Sequence, residues 1–348
     1  MGRLVCDPMS ASQSSYLAFK HFEYFVTAAD SIYPTQKPDM EIAHPPLPRS
    51  RPDAGRTDPA GRRRGGRGDA AATFGELLQG REPGDDNDFL VTLPITIRSR
   101  ATFWGFHESP RLYVFPSCKV KSRLAVRLFL DRHGIPGGGI LRVVSGVAEG
   151  KGLASSSADV VASLRAVADA CGIAMSTDEL LDIVRQIEPT DGVMYEEVVA
   201  FFHRRVELRH VIGALPRLCI LAVDEGGTID TISYNRQTFE FSEDEMQKYS
   251  ELLSEMTLAI RERDVRRIGR LATASTRLHQ RRNYKQSLDK IESIMNNHGA
   301  DGIVNCHSGT FIGLCFDMSA PDALERALLA QQCMERELGR PTHRFFSK

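Results

Sequence analysis

The most informative part of the sequence is a run of small residues at positions 150–159, Gly150-Lys151-Gly152-Leu153-Ala154-Ser155-Ser156-Ser157-Ala158-Asp159. It follows an apolar run at 140–144 and opens a segment with helical spacing of apolar side chains that stops at Gly172. Small residues let the backbone approach an anion closely, and the free N–H groups of a helix start point to the same place. Serine hydroxyls can bind a phosphate or Mg²⁺. From the residues alone, the stretch predicts either a phosphate-binding loop or an ordinary serine-capped helix start.

The stretch lacks the Gly-Lys-Ser/Thr that closes a Walker A loop. It resembles the second motif of the GHMP kinases, Pro-x-x-x-Gly-Leu-Gly-Ser-Ser-Ala, and looks closer to the variant of the L-threonine kinase branch. The leading proline is absent, and Ala154 stands at the third glycine position. The resemblance implies that Lys151 adds a positive charge near the phosphates and that Ser156 is a Mg²⁺ ligand. It assigns ATP binding to Gly150, Lys151, Gly152, Leu153, Ala154, Ser155, Ser156 and Ser157.

The composition is that of a globular protein. The 348 residues carry a formal net charge of −1, so no overall field recruits nucleic acid or a membrane surface. No segment approaches the roughly 18 apolar residues of a membrane span, and no signal peptide is evident. Seven cysteines show no C-x-x-C pair and several lie in apolar runs, which favours buried thiols in a reducing compartment. We therefore expect a cytoplasmic protein without a nucleic-acid or membrane partner, of undetermined oligomeric state.

The first 70 residues differ from the rest of the chain. Residues 16–29 have the spacing of a short helix, whereas residues 44–70 are rich in Pro, Gly and Arg. Such a composition cannot bury enough apolar surface to offset the entropy of ordering. The basic run at 61–67 fits a solvated linker better than a nucleic-acid contact, because no aromatic residue interleaves it. We predict that residues 1–70 are a disordered extension or linker.

A second motif, Gly75-Glu76-Leu77-Leu78-Gln79-Gly80, precedes a strand-like run. One interpretation is a β-turn before a hairpin. The motif also resembles the first motif of the L-threonine kinase branch, with Ala71-Ala72 in place of Pro-Gly and Phe74 in place of a small residue or Cys. The resemblance implies that Glu76 and Gln79 hold polar groups of the acceptor.

A third element, Glu188-Pro189-Thr190-Asp191, follows a helical segment. Two acids beside a helix-stopping proline are commonly polar turn residues. An acidic residue in a comparable Ser-Gly-x-Asp or Pro-Thr-Asp element faces the acceptor hydroxyl in the GHMP kinases, some 30 to 40 residues after the serine-rich loop, and Asp191 lies 35 positions after Ser156. The resemblance implies that Asp191 is the catalytic carboxylate, which accepts the proton of the acceptor hydroxyl or orients that hydroxyl, and that Glu188 is a second Mg²⁺ ligand.

A fourth element, His307-Ser308-Gly309-Thr310, joins two apolar runs and alone would indicate a β-hairpin. It resembles the Gly-rich strand–turn–strand that supports the phosphate loop in GHMP kinases, in its His-Ser-Gly-Thr/Ser form. The resemblance implies that Ser308, Gly309 and Thr310 brace the loop and contact the acceptor.

These motifs occur in the family's order across residues 71–317. The resemblance implies an α+β, two-lobed fold with an ATP-binding N-terminal lobe at 71–200, a C-terminal lobe of helices on antiparallel sheet at 201–348, and the active site in the cleft. It implies an ATP- and Mg²⁺-dependent kinase acting on a hydroxy amino acid, L-threonine to O-phospho-L-threonine. Three alternatives stay open: a kinase for another small alcohol such as homoserine, an inactive nucleotide-binding sensor, and a non-kinase α+β binding domain.

Overall fold

The computed structural model describes residues 65–84, 87–106, 109–227 and 240–348, which form ten strands and seven α-helices. The strands are β1 (Gly65–Arg81), β2 (Asp88–Phe106), β3 (Leu112–Phe115), β4 (Gly138–Val144), β5 (Val198–Phe202), β6 (Glu207–Gly213), β7 (Leu218–Asp224), β8 (Gly302–Asn305), β9 (Phe311–Asp317) and β10 (Thr342–Phe346). The helices are α1 (Val120–Arg132), α2 (Ser155–Cys171), α3 (Thr177–Arg185), α4 (Glu243–Glu262), α5 (Val265–His279), α6 (Leu288–His298) and α7 (Ala323–Leu338).

All ten strands belong to one sheet, in the order β10-β7-β9-β8-β1-β2-β4-β3, with the β5–β6 hairpin attached to β2. Its pairs are antiparallel except for β3 with β4. The long first strand pairs with β2 over most of its length and meets β8 where Glu76 faces Asn305. That pairing joins the strands of the first half of the chain to those of the second.

Helix α2 lies close against β1 because both elements carry small residues where they meet. At Gly68 of β1, an added Cβ would lie 2.3 Å from the carbonyl oxygen of Ala162 and 2.4 Å from the backbone nitrogen of Ala166. Close packing of this kind leaves no room for a side chain. The contact fixes the position of α2, and therefore of the glycine-rich loop at its N-terminus, relative to the sheet.

Three apolar clusters hold the sheet and helices together. One packs α1, α2 and α3 on strands of the first half, a second packs α4 and α5 on the central strands, and a third packs α6 and α7 on β7, β8 and β9. Phe74, which stands where the family has a small residue, is fully buried in the second cluster. Its ring lies 6.1 Å from that of Phe311 and 5.1 Å from that of Phe345. The departure from the family pattern therefore fills the core.

The predicted α+β class is confirmed. The apolar spacing at 119–133 also predicts a helix, and α1 is present there. The strand–turn–strand around the fourth motif is present as well, whereas β5, β6 and β10 were not predicted. The predicted extension ends too late, because β1 begins at Gly65 and Ala70 is completely buried. The short helix predicted at 16–29 and the linker up to residue 64 lie outside the described residues. Residue 200 falls inside β5, and the division into two lobes stays a proposal.

None of the helices in the described ranges is long and apolar enough to cross a membrane. The six cysteines of these ranges are free thiols, and those on β7 and β9 are buried in the sheet, as the apolar runs around them predict. Burial raises the pKa of the Cys219 thiol to about 12, so this side chain is an unreactive part of the core.

Candidate active site

A cavity of about 410 Å³ opens beside the N-terminus of α2, a volume in the range of about 300–1,000 Å³ that is common for small-molecule sites. Residues from four separate parts of the chain line it. These are residues 118–122 at the start of α1, the loop residues 148–150 and 152–157 with Asp159, the acidic element Glu188, Pro189 and Asp191, and Ser308. The topology thus gathers three of the four motifs around one space.

Backbone hydrogen bonds from β1 hold the glycine-rich loop in place. The N–H of Gly75 donates to the carbonyl of Gly152 at 3.1 Å, and the N–H of Thr73 donates to the carbonyl of Leu153 at 3.4 Å. Ala154 precedes α2 in the left-handed conformation, with φ of 53°, and provides no side-chain cap. The first N–H groups of α2 therefore stay available at the cavity, as an anion site requires.

The Glu188 carboxylate joins α1 to α2. Its Oε1 accepts a hydrogen bond from Ser156 Oγ at 2.6 Å, and its Oε2 forms a close ion pair with Lys121 Nζ. Glu188 reaches this place because α3 ends at Arg185 and the chain turns through Pro189. The structure thus brings together the two residues expected to hold Mg²⁺.

A second lysine lies at the same edge of the cavity but is fully engaged. Lys119 Nζ donates to Ser145 Oγ at 2.7 Å and to Asp159 Oδ2 at 2.6 Å, and forms a close contact with Glu149. These three acceptors match the three protons of an ammonium group. Ser145 also donates to Asp159, at 2.8 Å to Oδ1. Lys119 therefore fastens α1 to α2 beside the loop.

Lys151 does not take the place that the motif implies. Its Nζ lies 2.6 Å from Asp224 Oδ2 and donates to the carbonyl of Gly227 at 2.7 Å, and the side chain is not among those that line the cavity. This ion pair contributes to a lowered pKa of Asp224, against the opposing effect of burial. Because these contacts point Lys151 to the turn after β7, the positive charges beside the cavity come from α1 instead.

Asp191 lines the cavity in a strongly acidic surrounding. The N–H of Thr190 donates to the carbonyl of His203 at 3.1 Å, and the N–H of Val193 donates to the carbonyl of Asp191 at 2.6 Å, so the backbone on both sides is fixed. Burial, together with the negative charges of Glu76 and Glu188, raises the pKa of Asp191 to about 8. A carboxyl group with a pKa near neutrality is suited to accept a proton from an acceptor hydroxyl.

Glu76 lies behind the cavity wall and is 4% exposed. Its Oε2 accepts from the backbone N–H of His307 at 3.1 Å and lies 2.9 Å from His307 Nδ1. Ser275 Oγ lies 3.1 Å from the other ring nitrogen, which assigns the Nδ1–H tautomer to a neutral His307. Burial raises the pKa of Glu76 to about 7 and lowers that of His307 to about 3. Glu76 thus holds the fourth motif in place.

The turn at 307–310 braces the glycine-rich loop from the other side. The N–H of Thr310 donates to the carbonyl of Lys151 at 3.2 Å, and Gly309 packs so closely that an added Cβ would lie 2.1 Å from this carbonyl oxygen. Asn283 Nδ2 donates to the carbonyl of Gly309 at 3.0 Å, and the buried Lys285 ammonium makes a close contact with the same oxygen. The turn is therefore held by α5 and the segment after it.

Of the residues expected to bind the acceptor, one lines the cavity and the others do not. Ser308 lines the cavity, whereas Gly309 and Thr310 contact the loop backbone. Gln79 is not among the lining residues, and its Oε1 is buried without a hydrogen-bond partner in the described part of the chain. Glu76 approaches the acidic end of the site from behind, through its charge on Asp191.

Sequence reasoning missed Lys119 and Lys121. A signal was present, because cations are unfavourable at the N-terminus of a helix dipole, and α1 begins at Val120 without an acidic residue in its first turn. Two lysines in that place indicate negatively charged partners. Both lysines lie at the start of the helix predicted at 119–133, so their position could have been recognised from the sequence.

The donor set can hold Mg²⁺ only with help from a ligand. Within the described residues, no group of three or more His, Cys, Asp or Glu side chains could hold a metal ion by itself. Ser156 and Glu188 provide two neighbouring oxygens, and Mg²⁺ is commonly bound by one or two protein oxygens together with substrate phosphates and waters. The residues therefore fit a nucleotide-bound Mg²⁺.

The fold is similar to those of solved small-molecule kinases. The structure resembles homoserine kinase from Cytophaga hutchinsonii with a TM-score of 0.62 at 16% identity, over 82% of this chain and 95% of that one. It resembles mevalonate kinase from Methanococcus jannaschii with a TM-score of 0.60 at 15% identity, over 83% of this chain and all of that one. At these identities the likeness concerns the fold.

Sequence comparison shows two similarities to known kinases. Residues 119–201 match the model of the GHMP kinases N terminal domain, the segment that carries both lysines, the loop, Glu188 and Asp191. This segment is therefore similar to the N-terminal domain of the GHMP kinases. The sequence is also similar to L-threonine kinases: 26% identical to that of Citrobacter freundii over 176 residues (49% of this chain, 60% of the relative), and 26% to that of Salmonella typhimurium over 202 residues (57% and 65%). Each alignment thus spans less than two thirds of the relative's length.

Proposed function

We propose that the protein is an ATP- and Mg²⁺-dependent kinase that phosphorylates the hydroxyl of a hydroxy amino acid, converting L-threonine to O-phospho-L-threonine. One observation carries this proposal: the cavity at the N-terminus of α2 gathers Ser156, Glu188, Asp191 and Ser308 around free helix N–H groups. The acceptor is inferred from the similarity to the two L-threonine kinases.

The glycine-rich loop and the first turn of α2 would bind the phosphate chain of ATP through backbone N–H groups. Ser156 and Glu188 would hold Mg²⁺, which neutralises phosphate charge when it is bound. Phosphoryl transfer depends mainly on positioning and charge neutralisation, so a rigid loop is an advantage. The backbone bonds from β1 and from Thr310 supply that rigidity.

Asp191 would orient the acceptor hydroxyl and accept its proton. Its pKa of about 8 matches the requirement for a general base that works near neutral pH. A neutral side chain at this position would keep the shape of the site and lose the proton acceptor. Substitution of Asp191 therefore tests whether the protein is an enzyme or an inactive sensor.

The acceptor's amino-acid part would lie at the acidic end of the cavity. The carboxyl groups of Glu76 and Asp191 lie there with raised pKa values, and an ammonium group beside them would favour their ionised forms, which a neutral alcohol would not do. Glu76 would act through this charge and Ser308 through its position in the lining, while Gly309 and Thr310 would support the loop. A direct role of Gln79 stays a prediction from the resemblance.

A test compares acceptors under one set of conditions. ADP release with MgATP is measured for L-threonine, L-serine, L-homoserine and a polyol, and the product is identified by mass and by phosphorus NMR. We expect the highest kcat/KM for L-threonine. A higher value for L-homoserine would support a homoserine-like kinase, a relation that the fold neighbour also suggests. Binding of ATP without turnover of any acceptor would support the sensor.

A further inference from the structure

In the described part of the chain, one lysine lies in the glycine-rich loop and two line the cavity, and the surroundings of the three differ. Lys119 has three acceptors, and Lys151 is held by Asp224 and by the carbonyl of Gly227. Lys121 pairs with one carboxylate, that of Glu188, and its side chain is 28% exposed. Since an ammonium group has three protons, Lys121 retains donor capacity that faces the cavity.

The carboxylate that pairs with Lys121 has a second contact. Glu188 is 8% exposed, and its other oxygen already accepts from Ser156. A lysine therefore pairs with the same carboxylate that, under the proposed function, holds Mg²⁺ together with Ser156. Either the Lys121 ammonium or the metal cation can neutralise the Glu188 carboxylate, which lies in a partly desolvated site.

We propose that Lys121 is a ligand of the phosphate groups of the nucleotide, the role that the loop motif suggested for Lys151. In this structure the Lys121 ammonium neutralises Glu188. When nucleotide binds, Lys121 turns from Glu188 to phosphate oxygens, and Glu188 becomes available to the cation. The inference rests on the proposed function, because it takes the cavity to be the nucleotide site.

The chain offers a matched control for Lys121. Arg123 lies two positions further along α1, carries the same charge, is exposed and does not line the cavity. Arg123→Met therefore removes one positive charge from the start of α1 without changing the cavity wall. Lys121→Arg keeps a charge at the wall and tests whether charge or shape matters.

The test measures binding rather than turnover. Affinity for AMP-PNP with Mg²⁺ is measured by calorimetry, and affinity for adenosine by ligand-detected NMR. Because a hydrogen bond to a charged group is lost, we expect Lys121→Met to bind AMP-PNP about 10- to 100-fold more weakly. Its affinity for adenosine, which has no phosphate, should stay unchanged. Lys121→Arg should retain most of the AMP-PNP affinity, and Arg123→Met all of it.

The melting temperature of each variant is measured without ligand. If Lys121 serves only to neutralise Glu188, Lys121→Met will melt at a lower temperature and bind AMP-PNP as the wild type does, which overturns the proposal. Equal weakening of AMP-PNP and adenosine also overturns it, because the contact would then be with the nucleoside or with the fold as a whole. A wild type that does not bind AMP-PNP contradicts the proposed function itself.

Discussion

Ser156 Oγ donates a hydrogen bond to Glu188 Oε1 at 2.6 Å, although 32 positions separate the two residues. Ser156 lies in the first turn of α2, and Glu188 lies beyond the end of α3. The contact therefore depends on how α2 and α3 pack, and it places two oxygens side by side at the mouth of the glycine-rich loop. We base the first prediction on this pair.

Ser156→Ala and Glu188→Gln should each weaken Mg²⁺-dependent binding of AMP-PNP by about 10- to 100-fold, because each removes a charge-assisted contact. Calorimetry with and without Mg²⁺ measures the effect. Ser163→Ala is the control, because Ser163 lies on the same helix, is buried, and donates to the carbonyl of Asp159 rather than lining the cavity. Equal losses with and without Mg²⁺ would contradict a role in holding the cation.

Asp191→Asn should lower kcat with L-threonine by about 10²- to 10⁴-fold, the usual contribution of a general base. Affinity for AMP-PNP should change little, because the loop at 150–157 is untouched. Turnover and nucleotide affinity are measured on the same preparations. Asp131→Asn, an exposed residue in the last turn of α1 that does not line the cavity, is the control. Retention of most of the activity by Asp191→Asn would make Asp191 a turn residue.

The same variant should also be more stable than the wild type at alkaline pH. The pKa of Asp191 is about 8 in the fold against 3.8 for a free side chain, so between these values the native state binds more protons than the unfolded state. Stability from this group is therefore complete below about pH 4 and is lost as the pH rises to about 8. Melting curves should therefore show the stability of Asp191→Asn rising relative to the wild type between pH 5 and pH 8. A constant difference would contradict the raised pKa.

Lys151 and Asp224 should act as one unit that positions the loop. Lys151→Met and Asp224→Asn each remove the ion pair seen at 2.6 Å, so the loop loses its connection to the turn after β7. We expect each variant to weaken AMP-PNP binding by about 3- to 10-fold, consistent with a partly exposed ion pair of about 1 kcal/mol. The double variant should be no worse than either single one. Additive losses would indicate that Lys151 contacts the phosphates directly.

We expect the folded region to need the residues from Gly65 onward. A chain that begins at Pro59 should melt at the temperature of the full chain if the earlier residues are dispensable, as the composition predicts. A chain that begins at Ala71 should melt about 5 °C lower or more, because several ladder hydrogen bonds to 99–104 are lost. It also loses the contact of Gly68 with α2. Equal melting temperatures of the two shortened chains would show that residues 65–70 contribute nothing.

The local elements and the candidate residues of the site could be predicted from the sequence. The small residues around Ser156, the proline after Glu188 and the polar turn before Thr310 act over a few positions, and each predicted its element correctly. The boundary at Ala71 was wrong because a Gly- and Arg-rich stretch resembles a linker, while the packing of Gly68 on α2 makes it a strand. The hairpin of β5 and β6 carries no motif and was missed for that reason.

The tertiary structure alone decided which charges meet. Lys151 belongs to the loop motif, yet it pairs with Asp224, and Lys121 lies 67 positions from Glu188 in sequence. Glu76 and His307 are 231 positions apart, and their contact depends on the pairing of β1 with β8. Short-range propensity sets a helix start or a turn, whereas the direction of a long side chain depends on which carboxylate the packing of sheet and helices brings within reach.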